Sequence, residues 1–545
     1  MRISFRTNPG FLFFAGLPVL FFSLFGNFGL DTTDRGFIPG LAYRIISGQV
    51  IYKDFFYVRP PVSPYLHSLE MLLFPANLEL VAYRFVYYLF IWLTVYWTIK
   101  SLMRFFDFEE MGISPWLLAS IGFLFSVGNN MVGPWHTVDG LFFSALGFYW
   151  LSRKAEIWNI SLGLFCLGLA ALCKQPFAVV AIAGFGFSLF HYGFKKAGIA
   201  AGVALGVAIA FFAIIELILT PDFSFYTLMM DQILGSTKLS DLKWAGILLY
   251  VRPTALAFGL GFGLWLLLKK VLKSKFLGMT MAIYFFAGMA AIVMGMAFMS
   301  YQADHFIKPH LGFYHALNGA AMLACLIMLF GKHKNGAAFL LLMLSASWAG
   351  GISWGFPYPV YYSTPAIFVG VFLLAKPFGY SFPRFYLPSL LGISLIGMLM
   401  LNLYVYADGP RKDISYDAGA LFPELSHIHT SKENYQEFAE FKALQAKHGD
   451  HFTVLPGFTF AHYLTHTTPI VPVDLGHDAE LSKHRGVDHM IHDLQDSKAY
   501  VLAHRKELSH ATSEGNYRCS TLAFVLDNWE LVDSSKAFYV YKEKQ

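Results

Sequence analysis

Over the first three quarters of the chain, apolar residues come in runs of about 20, and polar positions are confined to the gaps between them. Phe11 to Leu30 and Phe276 to Ser300 are examples, apolar all round rather than on alternate residues. A helix of that length crosses a ~30 Å hydrocarbon layer, whereas a spanning β-barrel needs period-two alternation. The pattern therefore predicts helical spans at 11–30, 81–101, 114–130, 139–152, 158–173, 176–192, 197–219, 245–268, 276–299, 311–330, 337–353, 364–376 and 385–406. The fourth, fifth and twelfth are short, which sets the total at 11 to 13. After residue 406 the pattern changes. A polar helix near Lys432–Lys447, a strand at Phe452–Leu455, helices at Phe458–Leu464 and Val487–Leu494, and strands at Tyr500–Ala503, Trp529–Val532 and Phe538–Tyr541 predict a small α/β layer. The expected fold is a polytopic α-helical membrane domain over 1–406 and a soluble α/β domain over 407–545.

Composition agrees with this reading. Of 545 residues, 56% are hydrophobic and only 14% charged, against about 25% charged in soluble domains. A net charge of +5, dispersed along the chain, gives no basis for nucleic-acid binding. Cys166, Cys173 and Cys325 lie in apolar runs and Cys519 is alone in the tail, so the tail has no disulfide framework. Arg2 and Arg6 before the first run resemble a signal sequence, but the run is long and lacks a small-x-small site, so it reads as a retained first span.

Lysine and arginine set the expected sidedness. Arg2/Arg6, Lys100/Arg104, Arg153/Lys154, Lys195/Lys196, Lys269/Lys270/Lys273/Lys275, Lys332/Lys334 and Lys376/Arg384 make 16 basic residues in one set of connections. The other set holds about half as many, so the first is expected to be cytoplasmic. An odd span count then places the tail outside the cytoplasm, together with loops 31–80, 131–138, 220–244, 300–310 and 354–363. Loop 31–80 is too long for a turn. Its stretches Ile38–Ser47 and Val62–Leu73 have helical apolar spacing and predict helices lying on the membrane surface.

Chemistry-bearing residues gather at that far side. Asp31 and Asp34 follow the first span; then come Tyr52-Lys53-Asp54-Phe55-Phe56 and Arg59-Pro60-Pro61. A carboxylate at a membrane exit is either a solvated helix cap or a base, and an arginine there is either a snorkelling anchor or an anion holder. Asp139, in Pro134-Trp135-His136-Thr137-Val138-Asp139, opens the fourth span, where the helix dipole favours negative charge. Lys174 lies between the fifth and sixth spans, as a dipole partner or a ligand group. His305 and Lys308 crowd another boundary as interfacial anchors or phosphate contacts, and Trp354, Tyr361 and Tyr362 read as an aromatic belt. Twelve of the 19 histidines follow residue 407; His484, His489 and His492 lack metal-ligand spacing and read as solvated.

The order of parts resembles the GT-C superfamily of integral-membrane glycosyltransferases, which includes lipid A aminoarabinose transferases and protein O-mannosyltransferases. The string runs from Asp34 through Ala42, Ile45 and Gly48 to Arg59-Pro60-Pro61, and the block at 52–56 is similar to bacterial members. One departure stands out: the family often has Asp-Glu where this chain has Asp34-Arg35, which leaves the base open between Asp34 and Asp31. The resemblance implies an inverting transferase in a bacterial inner membrane, moving sugar from a polyprenyl-phosphate donor to an extracytoplasmic lipid, glycan or protein. Asp34 or Asp31 would be the base, and Arg59, Lys174 and Lys308 would hold the donor phosphate. Asp139, His136, Asp54 and His305 would serve the acceptor or a metal. It implies no certain cofactor and leaves a divalent metal open. Competing classes are a transporter or lipid flippase, an O-antigen ligase or polymerase, and a non-catalytic scaffold. A transporter usually carries ionisable groups in mid-membrane, and Glu216 is the main acidic residue within these spans.

Overall fold

The computed structural model describes residues 8–127, 131–219, 222–235, 333–351, 364–375, 386–481, 486–513 and 517–544, with isolated positions between 321 and 330. The predicted spans 245–268 and 276–299, and most of 311–330, lie outside the described residues. The first helix, α1 (Pro9–Phe21), starts where the Asn8 side chain accepts the backbone N–H groups of Gly10 and Phe11 and a proline occupies the first turn. It closes in one π turn, Phe22–Gly26, short of the predicted Leu30. The reason lies far along the chain. Gly29 N–H donates to the His429 carbonyl and His429 N–H to that of Asn27, 2.8 Å each, so the end of the apolar run is drawn into pairing with the C-terminal domain.

The two predicted surface helices are α2 (Asp34–Ile46) and α3 (Val62–Leu73). They are followed by α4 (Ala76–Phe105), α5 (Pro115–Val127), α6 (His136–Leu151), α7 (Ile157–Cys173), α8 (Ala178–Tyr192) and α9 (Phe194–Ile214). A helix the pattern did not predict, α10 (Phe225–Gly235), fills part of loop 220–244. Phe225, Met229 and Ile233 recur at four-residue spacing with Leu228 and Met230 beside them, but Asp231 and Gln232 interrupt the run. The remaining described spans are α11 (Lys334–Gly351), α12 (Thr364–Ala375) and α13 (Tyr386–Leu401).

Four described helical stretches, Pro9–Gly26, Ala76–Phe105, Gln175–Tyr192 and Phe194–Leu217, are each long and apolar enough to cross a membrane. On α9, Val203, Leu205, Val207, Ile209, Phe211 and Ile214 are 38–60% exposed. A water-soluble surface does not carry a continuous apolar helix face of that size, and a lipid-facing one does. Inside the bundle, α6 and α7 approach closely at Gly147 and Gly163, where a Cβ on either would lie within about 3 Å of the other's carbonyl oxygen. Such close backbone approach favours small residues in membrane helix packing.

The C-terminal domain begins with two short antiparallel pairs, β1 (Tyr404–Val405) with β2 (Gly409–Pro410) and β3 (Ile414–Asp417) with β4 (His429–Ser431). Helix α14 (Lys432–His448) is capped by the Ser431 side chain and ends at Gly449 with φ 85°. Strand β5 (Phe452–Leu455), helices α15 (Ala461–Thr465) and α16 (Val487–Ser497), strand β6 (Tyr500–His504), helix α17 (Ser520–Asn528) and strands β7 (Glu530–Ser534) and β8 (Phe538–Lys542) complete it. The sheet order is β5-β6-β8-β7, with β5 and β6 parallel and the other pairs antiparallel.

The core of this domain is continuous with the first loop. Leu30, Ala42, Met71, Leu80 and Tyr83 share one apolar cluster with Phe438, Phe441, Phe458 and Phe538. Gly36 and Gly40 let α2 lie against Thr459, and a Cβ at Gly40 would come within 2.5 Å of the Thr459 carbonyl. The α/β domain therefore seats directly on the loop that carries the candidate chemistry.

Candidate functional site at the rim of the helical body

The two candidate bases take different positions. Asp31 is 6% exposed; one oxygen accepts the N–H groups of Thr33 and Arg35 at 3.0 and 3.2 Å, and the other meets Arg35 Nε at 3.0 Å. Burial pushes its carboxyl above the ordinary 3.8, against the pull of Arg35. Arg35 in turn donates to the carbonyls of Phe28, Gly29 and Tyr406. The arginine that departs from the family pattern thus ties the start of α2 to the first span and to the entry of the C-terminal domain. Asp34, the first residue of α2, is half-buried and accepts a 2.7 Å hydrogen bond from the Tyr406 hydroxyl. Its position leaves it the more accessible of the two.

Arg59 is held from several sides. The Tyr52 hydroxyl donates to its backbone carbonyl at 2.7 Å. Tyr52 itself is fully buried with φ 71°, an uncommon conformation for a bulky residue. It is sustained by Tyr52 N–H donating to Phe55 O and by Gln232 on α10, whose amide donates to Tyr52 O and accepts from Tyr57 N–H. The Arg59 guanidinium lies 5.1 Å from the centre of the Phe37 ring and makes two bonds to Glu480, at 2.8 and 3.1 Å. Burial works against its charge, but Glu480 outweighs that and holds its pKa above the ordinary value, with Asp34 also contributing. Through Phe37, Arg59 packs on α2 one helical turn from Asp34.

A second polar group joins α3 to α6. Asp139, in the first turn of α6 and 1% exposed, lies 3.2 Å from His67 Nε2, and Glu70 lies 3.0 Å from His67 Nδ1. Burial would lower the His67 pKa, yet the two carboxylates outweigh it and hold it up to about 10. Because that value lies above the ordinary 6.5, protonated His67 contributes stability that is full below about pH 6.5 and is lost as the pH rises through 10. The melting temperature is expected to fall over that interval and to become flatter in His67→Gln. An equally steep fall in the variant would exclude the triad as its source. Lys174 is buried and donates to the Thr137 hydroxyl at 2.8 Å, while Gln175 donates to Val58 O. His136 is buried with its ring 4.5 Å from that of Trp135.

The contacts form two groups: Arg59 packs on Phe37, one turn along α2 from Asp34, and Lys174 reaches through Thr137 to the first turn of α6, which carries His136 and Asp139. Asp54 is exposed and accepts the N–H of Val50 at 2.7 Å as a local turn cap. Lys308 and His305 lie outside the described residues, as do His484, Trp354, Tyr361 and Tyr362. His489 and His492 are exposed and pair with Asp493 and Asp496 one helical turn on. Among the described residues no three His, Cys, Asp or Glu side chains converge as metal ligands. Around His67, the two carboxylates occupy opposite ring nitrogens.

Sequence reasoning missed His67, Glu70, Tyr406 and Glu480. His67 and Glu70 sit at helical spacing in an amphipathic stretch, which could have placed them on one face. Glu480 is 421 residues from Arg59, and no local pattern announces such a partner.

No family model and no curated protein matches the chain. Among solved structures, it is similar to the oligosaccharyltransferase AglB of Archaeoglobus fulgidus in complex with an inhibitory peptide and a dolichol-phosphate. That match has 14% identity and a TM-score of 0.47, and it covers 100% of this chain and 75% of that one. It is also similar to ArnT from Cupriavidus metallidurans bound to undecaprenyl phosphate, at 11% identity and a TM-score of 0.40, over 97% of both chains. ArnT in the apo state gives 12% identity and a TM-score of 0.41, again over 97% of both.

Proposed function

We propose that this chain is an inverting glycosyltransferase of the GT-C type that uses a polyprenyl-phosphate sugar and an acceptor outside the cytoplasm. One observation carries the reading: a buried guanidinium, Arg59, packs on the Phe37 ring of α2, one helical turn from an accessible carboxylate, Asp34, in the loop that follows the first apolar helix. Such a loop is where a lipid-borne donor and a water-borne acceptor can meet. The acceptor hydroxyl or amine attacks the anomeric carbon as its proton passes to Asp34, and the bond from that carbon to the phosphate oxygen breaks. The leaving group is already an anion, so it needs a cation rather than an acid. Arg59 supplies that charge through its planar fork. A single displacement of this kind inverts the anomeric centre.

The test is sugar transfer from donor lipid extracted with the membrane. Losing a charge-assisted hydrogen bond is worth about 1.5–3 kcal/mol, so Arg59→Gln is expected to raise the KM for lipid donor about 10- to 100-fold. A variant that keeps the wild-type donor KM would remove the phosphate role.

A further inference from the structure

The hairpin that opens the C-terminal domain ends on the candidate base. Strands β1 and β2 pair Tyr404 with Pro410 and Val405 with Gly409, and the turn between them is Tyr406-Ala407-Asp408, with Ala407 at φ 55°. That turn is fastened from the first loop, from the domain and from α2. One oxygen of the Asp408 carboxylate accepts Leu30 N–H at 2.9 Å and the Thr430 hydroxyl at 2.8 Å; the other accepts Ser431 N–H at 2.9 Å and the Asn434 amide at 3.0 Å. The Asn434 amide also donates to the Ala407 carbonyl, and the Arg35 guanidinium donates to the Tyr406 carbonyl at 3.1 Å. Gly29, at φ 93°, makes room for this docking, since a Cβ there would collide with Val405 and with the Arg35 guanidinium. The Tyr406 side chain is 52% exposed, yet its hydroxyl turns back to donate to Asp34 Oδ2 at 2.7 Å. Among the described residues, Asp34 Oδ1 accepts no hydrogen bond.

Resting on the reading of Asp34 as the base, we infer that Tyr406 is its positioning residue: the C-terminal domain supplies the hydroxyl that fixes the carboxylate and leaves the second oxygen to the acceptor. A carboxylate at the start of a helix turns about two side-chain bonds, and in the wrong rotamer it does not reach the proton it must take. Tyr406 occupies one oxygen and stops that rotation. Its hydroxyl keeps its own proton, and the acceptor's passes to Oδ1. The same bond favours the ionised carboxylate, which is the form that acts as base. Arg35 shares in the arrangement, because it holds the Tyr406 backbone while Asp31 balances its charge. Two residues 372 positions apart thus complete one base between them.

Sugar transfer by full-length Tyr406→Phe protein in phosphatidylcholine nanodiscs, with donor lipid extracted from the membrane, tests this. The ring and the backbone bonds remain, so the variant is expected to melt as wild type does. Its kcat is expected to fall about tenfold, with the donor KM unchanged. The acid limb of its kcat profile is expected to move to higher pH, because a bond to the ionised carboxylate is gone. The other charged groups by Asp34 are the Asp31–Arg35 pair beside it and Arg59 one turn along α2, and the substitution leaves them in place. A wild-type kcat would overturn the inference. So would a lower kcat with the acid limb unmoved, the result of a merely structural hydroxyl, or a raised donor KM in place of the lower kcat. Asp34→Asn separates the two claims. If it keeps full transfer, the base and the inference fall together; if it loses transfer while Tyr406→Phe behaves as wild type, only the role of Tyr406 falls.

Discussion

Asp34→Asn protein, inserted and folded, is expected to lose sugar transfer by at least about 100-fold, the lower end of what a positioned base contributes. The amide has the same shape as the carboxylate and can still accept the Tyr406 hydroxyl, which lies 2.7 Å from Asp34 in the wild type. What it cannot do is take a proton from the acceptor. Because Asp34 is only half-buried and makes no ion pair among the described contacts, stability and donor KM are expected to change little. Asp31→Asn is the informative contrast. There the lost charge faces Arg35 in a buried pair, so the damage should appear as lower stability, with activity per folded molecule largely kept. Near-wild-type turnover in Asp34→Asn would sink the assignment, and a collapse of activity in folded Asp31→Asn would move the base to Asp31.

The parts of this protein that could be read from sequence are those governed by local spacing. Apolar length and period fixed most described spans within a few residues, and Val62–Leu73 appears as α3 with the predicted limits. Asp34, Arg59, Asp139 and Lys174 stood out because ionisable groups beside apolar runs are costly. Wherever long-range contact decided, the pattern was silent. Phe28–Leu30 continue the apolar run past Asn27, but the backbone of Asn27 and Gly29 pairs with His429. Phe460 has helical spacing with Leu464, yet the helix predicted from Phe458 coils only over Ala461–Thr465, with Phe458 and Phe460 packed in the domain core ahead of it. The same holds for the site. Arg59 read as a cation awaiting an anion, and its carboxylate partner comes from the other end of the chain. Arg35 read as a defect in a motif, whereas its five donors are what knit Phe28, Gly29, Asp31 and Tyr406 together.

Asp474→Asn is expected to cost about 3–5 kcal/mol, the usual penalty for breaking a buried ion pair from one side. Arg44 is 1% exposed, and its guanidinium reaches Asp474 through two nitrogens at 2.8 and 2.9 Å. Its other bonds, to Gln49 and to the Val471 carbonyl, are to neutral acceptors that cannot balance the charge. Since the pair joins α2 to the C-terminal domain, the loss should be seen as undocking of that domain: faster proteolysis after residue 406 and a lower melting temperature in detergent. Removing both charges is a different perturbation. Arg44→Met with Asp474→Leu leaves no buried ion and keeps comparable volume, so much of the stability should return. If Asp474→Asn melts like wild type, the pair is not what fastens the domain. If the double variant is no better than the single one, the hydrogen bonds of Arg44 to Val471 and Gln49 matter more than its charge balance.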